Sequence, residues 1–185
     1  MTDLGFNPNN KFIDPEKVLF AAGLSAGLTL ADLGAGSGFY TFAAGKIVGE
    51  QGKVIAVDVM ESALEHIASE ARIKNLRNIR SIRVDLEQAN SLAAIDAGSV
   101  DFVLFGNTLH QIKDKAGLMA QAYRLLKTGG KLIVLEWNDQ PSPIGPMSSD
   151  RIGSTETIQL ANKASLKQAG VLQTDPYHYG LIFIK

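Results

Sequence analysis

Residues 28–38, LTLADLGAGSG, constrain this chain more than any other stretch: a short apolar run leads into three glycines at alternate positions. Glycine lets the backbone turn sharply and lets a ligand approach main-chain atoms. The run reads as a buried strand, Leu28 to Leu33, that turns at Asp32-Leu33-Gly34-Ala35-Gly36-Ser37-Gly38 into a helix over 38–48. The alternation then continues: a strand at Lys53–Asp58, a helix at 61–74, and strands at Ile79–Asp85 and Val100–Phe105. A helix at 114–127 and a fifth strand at Lys131–Trp137 follow. Strands alternating with helices imply right-handed crossovers and a parallel sheet covered on both faces. The expected fold is a single Rossmann-like α/β/α domain.

Boundaries follow from caps and breakers. Residues 1–13 read as a loose N-terminal arm, and Asp14-Pro15-Glu16 as a helix start with an acceptor at the cap and proline in the first turn. In the 38–48 helix, Phe39, Phe42, Ala43 and Ile47 are expected to face inward. In the 61–74 helix the inward set is Leu64, Ile67, Ala68 and Ala71. Residues 86–99 read as a loop with a short helix around 92–95. The stretch 139–149, with three prolines and a glycine, reads as a loop without apolar periodicity to fix it. A helix over 155–169, ended by Gly170, precedes two short strands, 171–174 and 180–185. Five residues between them permit a hairpin but no crossover, so they should pair antiparallel.

Composition narrows the function classes. A chain of 185 residues is about one domain on a prior of roughly 100–200 residues, so 1–185 is read as one unit, with a core at 28–137 and a distinct tail at 138–185. A net charge of −1 leaves no global field to attract nucleic acid or anionic lipid. The absence of cysteine excludes disulfides, thiolate metal sites and cysteine nucleophiles. Three scattered histidines, His66, His110 and His178, give no metal-ligand spacing. No signal peptide and no spanning run of 18 apolar residues stand out, so a cytoplasmic protein is expected.

The glycine turn does not fit a dinucleotide site. Gly-x-Gly-x-x-Gly started at Gly34 ends on Phe39, and started at Gly36 it ends on Thr41. No Gly-Lys-Ser/Thr phosphate loop occurs either. An acid beside the loop suits a cationic ligand better than a pyrophosphate.

LADLGAGSGFYT, KVIAVDV, VDFVLFGNTLH and LLKTGGKLIVLEW, in this order across roughly 28–137, resemble a class I S-adenosylmethionine-dependent methyltransferase. Within that superfamily the chain is most similar to small members related to the ubiquinone/menaquinone biosynthesis (type 11) group. Gly145-Pro146, Arg151 and Pro176-Tyr177-His178-Tyr179 extend the resemblance into the tail. It implies a seven-stranded, mostly parallel sheet with an antiparallel C-terminal strand, S-adenosyl-L-methionine as cofactor and S-adenosyl-L-homocysteine as product. It also implies cofactor contacts: Asp32 near the methionine ammonium, and Gly34, Ala35, Gly36, Ser37 and Gly38 under the methionine and ribose. Asp58, followed by Val59, would hold the ribose hydroxyls; Asp85 and Leu86 would meet the adenine, and Asn107 the methionine end.

Asp58 lies 26 positions beyond Asp32, near the spacing of about 20 for a ribose acid in related folds; capping the following helix is its bland alternative. His110 and His178 are weak candidates for a base, each with a packing role as alternative, and Trp137 and Glu136 end the fifth strand on the expected acceptor side. The acceptor is expected to be a small molecule. Arg72, Lys74, Arg77, Arg80 and Arg83 raise an RNA methyltransferase as alternative, and a non-catalytic cofactor-binding module is another. Arsenic chemistry is disfavoured by the missing thiolates.

Overall fold

The computed structural model describes residues 13–88, 90–142 and 144–185. The arm expected over 1–13 therefore falls, except for Ile13, outside the described residues. Asp14 caps α1 (Pro15–Ala21) by accepting from the Glu16 and Lys17 amides. The chain continues through β1 (Thr29–Leu33), α2 (Phe39–Val48), β2 (Lys53–Asp58), α3 (Glu61–Ile73) and β3 (Ile79–Arg83). Then come β4 (Val100–Gly106), α4 (Lys115–Leu125), β5 (Leu126–Trp137), α5 (Ser154–Lys163), β6 (Lys167–Leu172) and β7 (His178–Ile184). The seven strands form one sheet in the order β3-β2-β1-β4-β5-β7-β6. Only β7 runs against its neighbours, antiparallel to both β5 and β6. The expected sheet and its terminal hairpin are both present.

Side chains alternate across a strand, so parity assigns each residue a face. Leu30, Val54, Leu104, Ile133 and Leu135 pack with α1 and α2, and Ala56 with α3. Ala31, Ile55, Val57, Val103 and Val134 pack with α4 and α5 on the other face. Each fully buried aliphatic side chain contributes about 1.5–3 kcal/mol, and both layers consist almost entirely of such residues.

Several boundaries and faces differ from the sequence reading. In α2 the buried set is Tyr40, Thr41, Ala43, Ala44, Gly45 and Val48, whereas Phe39 is 50% exposed, because the first helical residue points over the turn rather than onto the sheet. Ala68 in α3 is exposed. Residues 92–95 form turns, not a helix: the Leu92 and Ile95 carbonyls accept from the Arg124 guanidinium of α4. The last helix stops at Lys163, not Ala169. Ser165 adopts φ 64 and Leu166, fully buried, donates to Ala161, a left-handed helix stop that frees 167–172 for β6. β3 is an edge strand, and its exposed Arg80 and Arg83 are the kind of charge that keeps an edge from pairing with another chain.

Candidate active site

Strand order reverses between β1 and β4, and open α/β sheets hold ligands at the carboxyl ends of strands at such a switch. The glycines explain how two strand ends close there. A Cβ on Gly34, whose φ is +83, would lie 2.5 Å from the Thr108 side chain. One on Gly106 would lie 2.6 Å from the Tyr40 ring. Gly36, by contrast, faces open space at φ +52. Positions 34 and 106 are tight against protein, and position 36 leaves room for a ligand.

The acids around the turn take three different roles. Asp58 accepts from the Gly36 amide at 2.8 Å and the Met60 amide at 2.9 Å, one bond to each carboxylate oxygen. It does not cap α3 in the usual way, since Met60 is the cap residue. An ionised carboxylate offers about four acceptor sites, so two remain for further donors. Asp85 accepts from the Glu87 amide and from Gln88 Nε2 beyond β3. Leu86 is buried in the α4-side layer, and Val59 is exposed beside Asp58.

Asp32 is almost wholly buried and accepts from Thr41 Oγ1 at 2.6 Å. Burial raises its pKa from 3.8 to about 6, with Asp58 adding to the rise and the Thr41 hydroxyl opposing it. The folded state therefore holds this proton more tightly than the unfolded chain. Its stabilising share is complete below about pH 4 and lost as pH rises through 6. Asp32→Asn, which imitates the protonated form, is expected to raise thermal stability at pH 8 by up to about 3 kcal/mol, with the gain disappearing at pH 4. Melting curves at both pH values check the sign.

A cavity of about 430 Å³ opens at the switch, lined by Gly34 to Ser37, Tyr40, Asn107, Trp137 and His178 among others. Burial, helped by the Asp32 charge, holds the Tyr40 phenol well above its ordinary pKa, so it stays a neutral donor. The His178 and Trp137 rings lie with centroids 4.1 Å apart, tilted by 39°. Its Nδ1 lies 2.8 Å from Asp175 Oδ1 and its Nε2 3.3 Å from Asn107 Nδ2. Asp175 also accepts from the Ile13 and Tyr177 amides. Asn107 sits at φ 58, a conformation unusual for a non-glycine residue.

His110 belongs elsewhere. Glu136, fully buried, accepts from the His110 amide, from His110 Nδ1 at 2.9 Å and from the Trp137 amide. Glu136 and Trp137 are sequence neighbours on opposite faces of β5, which separates this pair from the cavity. His66 is exposed on α3. Asp175, Tyr40 and Gln111 line the cavity without having been singled out in the sequence. The Asp-x-x-His spacing at 175–178 was the available signal for Asp175.

Arg151 ties down Asn138, Gln140 and Pro146 of the loop after β5. Arg151 Nη1 donates to the Asn138 and Gln140 carbonyls, and its Nε and Nη2 donate to Pro146. Its guanidinium lies 5.5 Å from the Trp137 ring. Gly145, at φ +95, packs so closely that a Cβ would fall 2.7 Å from that ring. Arg151→Ala is expected to free the loop, seen as faster amide exchange over 138–146, with S-adenosylhomocysteine affinity changed less than twofold.

A larger groove of about 730 Å³, near Lys53, Arg77 and Arg80, lies at the opposite, amino end of the strands. The smaller cavity lies at the carboxyl ends of the strands, where open α/β sheets hold ligands. Among the described residues no cluster of His, Asp and Glu could hold a metal ion, and no helix is long and apolar enough to cross a membrane.

Sheet order, antiparallel β7 and the glycine turn at the switch define the class I methyltransferase fold. A family profile described as "Methyltransferase domain" matches residues 24–173, and the chain belongs to this family, the class I S-adenosylmethionine-dependent methyltransferases of the type 11 group. S-adenosylmethionine is the cofactor. A crystal structure of an S-adenosylmethionine-dependent methyltransferase from Aquifex aeolicus superposes with a TM-score of 0.86 at 26% identity, covering 96% of this chain and 93% of that one. An arsenic(III) S-adenosylmethionine methyltransferase from Chlamydomonas reinhardtii gives 0.69 at 26% identity, over 96% of this chain and 67% of that one. Demethylmenaquinone methyltransferase of Lactococcus lactis is 31% identical over 129 residues, 69% of this chain and 49% of that protein. The ubiquinone/menaquinone biosynthesis C-methyltransferase UbiE of Escherichia coli is 35% identical over 119 residues, 63% of this chain and 45% of that protein. The chain thus spans about half the length of the curated relatives it matches.

Proposed function

We propose that this chain transfers a methyl group from S-adenosylmethionine to a small organic acceptor bound in the 430 Å³ cavity, and does so in the cytoplasm. The observation that carries this reading is that one cavity joins the glycine turn to an acceptor wall of Trp137, Asn107 and His178. The residues fit the donor: Gly36 leaves open space, Asp58 keeps two acceptor sites for a ribose, and Asp32 is an acid behind the turn for an ammonium. Alignment of sulfonium and acceptor does most of the work in such a transfer, since the leaving group is already cationic. The quinone-biosynthesis methyltransferases among the relatives support a small acceptor, and the absence of cysteine argues against arsenic(III). The five basic residues of 72–83 surround the end of α3 and the sheet edge, where Lys74 and Arg83 already pair with Glu70 and Glu61.

Calorimetry with S-adenosylhomocysteine tests the reading. Tight binding is expected, with NAD(H) and ATP failing to displace the ligand at equal concentration. The Gly36 amide, which a phosphate would need, is already donated to Asp58. Displacement by either nucleotide would reverse the reading, and binding without turnover on any small acceptor would leave a binding module instead.

A further inference from the structure

We propose that His178 is the catalytic base, and that the acceptor it serves enters as a neutral, flat molecule with an ionisable hydroxyl, a phenol or an enol. This rests on the methyl-transfer reading above. The ring is held at both nitrogens: Nδ1 faces the Asp175 carboxylate, which as an acceptor requires the proton there, so Nε2 carries the lone pair. That lone pair points at Asn107 Nδ2 across 3.3 Å, the long end for a hydrogen bond, so a hydroxyl can displace the contact at little cost. Asn107 meanwhile has its own Oδ1 buried without a partner among the described residues. Rotating the amide brings Oδ1 to Nε2, where it accepts from the imidazolium, and Asp175 supplies the opposite charge. The same three residues thus accommodate His178 before and after it gains a proton.

The walls select the acceptor. Trp137, Tyr40 and Phe39 present ring surfaces, Ile144 an aliphatic one, and among the described residues no Lys or Arg lines the cavity. Asp175 in the cavity wall and Asp32 behind the glycine turn disfavour the entry of an anionic acceptor, so the proton is removed inside. Tyr40 cannot remove it, because its phenol is itself held neutral. In the transfer, the acceptor O–H bond breaks toward His178 Nε2 and the oxygen pair forms the new O–CH3 bond. The S–CH3 pair returns to sulfur as the thioether, and the positive charge passes from sulfonium to imidazolium.

The groups facing His178 are Asp175 on its own turn, Tyr40 from α2, and Trp137 with the Arg151 guanidinium beside it; Glu136 lies across the sheet. One measurement on the full chain with S-adenosylhomocysteine bound tests the assignment. The probe 4-nitrophenol, added one pH unit below its own pKa where about nine-tenths of it is protonated in solution, should bind mainly as the yellow phenolate. In His178→Gln it should stay at least nine-tenths protonated, with S-adenosylhomocysteine affinity within twofold of wild type. Asp175→Asn should give an intermediate phenolate fraction. Failure of the wild type to bind or ionise the phenol, or equal ionisation by His178→Gln, overturns the assignment. Failure to bind S-adenosylhomocysteine strikes the methyl-transfer reading instead. Should the glutamine variant misfold, the imidazole 15N shift of wild-type His178 on phenol binding decides, since only two other histidines need be told apart.

Discussion

Asp58→Ala is expected to weaken S-adenosylhomocysteine binding tenfold or more while the protein stays folded. Two sugar hydroxyls donating to one carboxylate are charge-assisted bonds of about 1.5–3 kcal/mol each, and every 1.4 kcal/mol is a factor of about ten. The alanine also releases the Gly36 amide, now held at 2.8 Å, so the turn loses its anchor to β2. Part of the loss is therefore preorganisation rather than direct contact. Asp58→Asn separates the two contributions: it keeps an acceptor oxygen for Gly36 and loses the charge. Calorimetry on the pair should rank wild type above Asn above Ala, and an alanine variant that binds like wild type would remove Asp58 from the site.

Gly34→Ala is expected to be strongly destabilising. Its φ of +83 is costly for any L side chain, and the added Cβ would fall 2.5 Å from Thr108. The conformational part is of order 1–3 kcal/mol, and overpacking adds about 1–3 kcal/mol more. Thermal unfolding should show a drop of several degrees, with ligand stabilisation reduced as well. Gly34→Ala combined with Thr108→Ala, which removes both side-chain atoms at 2.5 Å, should recover most of the packing share but not the conformational one. Gly36→Ala offers the contrast, since nothing lies within 4 Å of its Cβ: it should cost less stability and spend its effect on binding.

Local chemistry made much of this fold legible. β-Rich apolar runs flanked by glycine gave β1, β2 and β4 nearly to the residue, and the failure of the dinucleotide spacing at Phe39 and Thr41 turned attention away from phosphates. Where the reading slipped, a distant partner had overruled a local preference. Periodicity could not show that Arg124 takes the carbonyls of Leu92 and Ile95, or that Arg151 ties down the proline loop. The end of α5 was misplaced because Ser165, not a glycine, takes the left-handed turn. Within the site, Asp32, Asp58 and Asn107 could be singled out because the segments that carry them resemble methyltransferase motifs. Asp175 offered only its spacing to His178, because its importance lies in contacts to that ring and to Ile13, 162 positions earlier. His110 and His178 looked equal in sequence, and the parity of β5 and β7 separates them.

The position of β7 between β5 and β6 sets an order of assembly. β1 to β4 and the turns that follow them come off the ribosome before residue 110, so the half of the site that faces a methyl donor has all its strands early. Among the described residues β6 has no neighbour other than β7, and β5 lacks one partner until residues 178–184 are made. Until then two strand edges stay unpaired, the condition that exposes a nascent sheet to wrong pairings. His178, the first residue of β7, arrives with the segment that closes the sheet. Synthesis thus separates the two halves in time, and a defect in the final hairpin should strike the acceptor wall first.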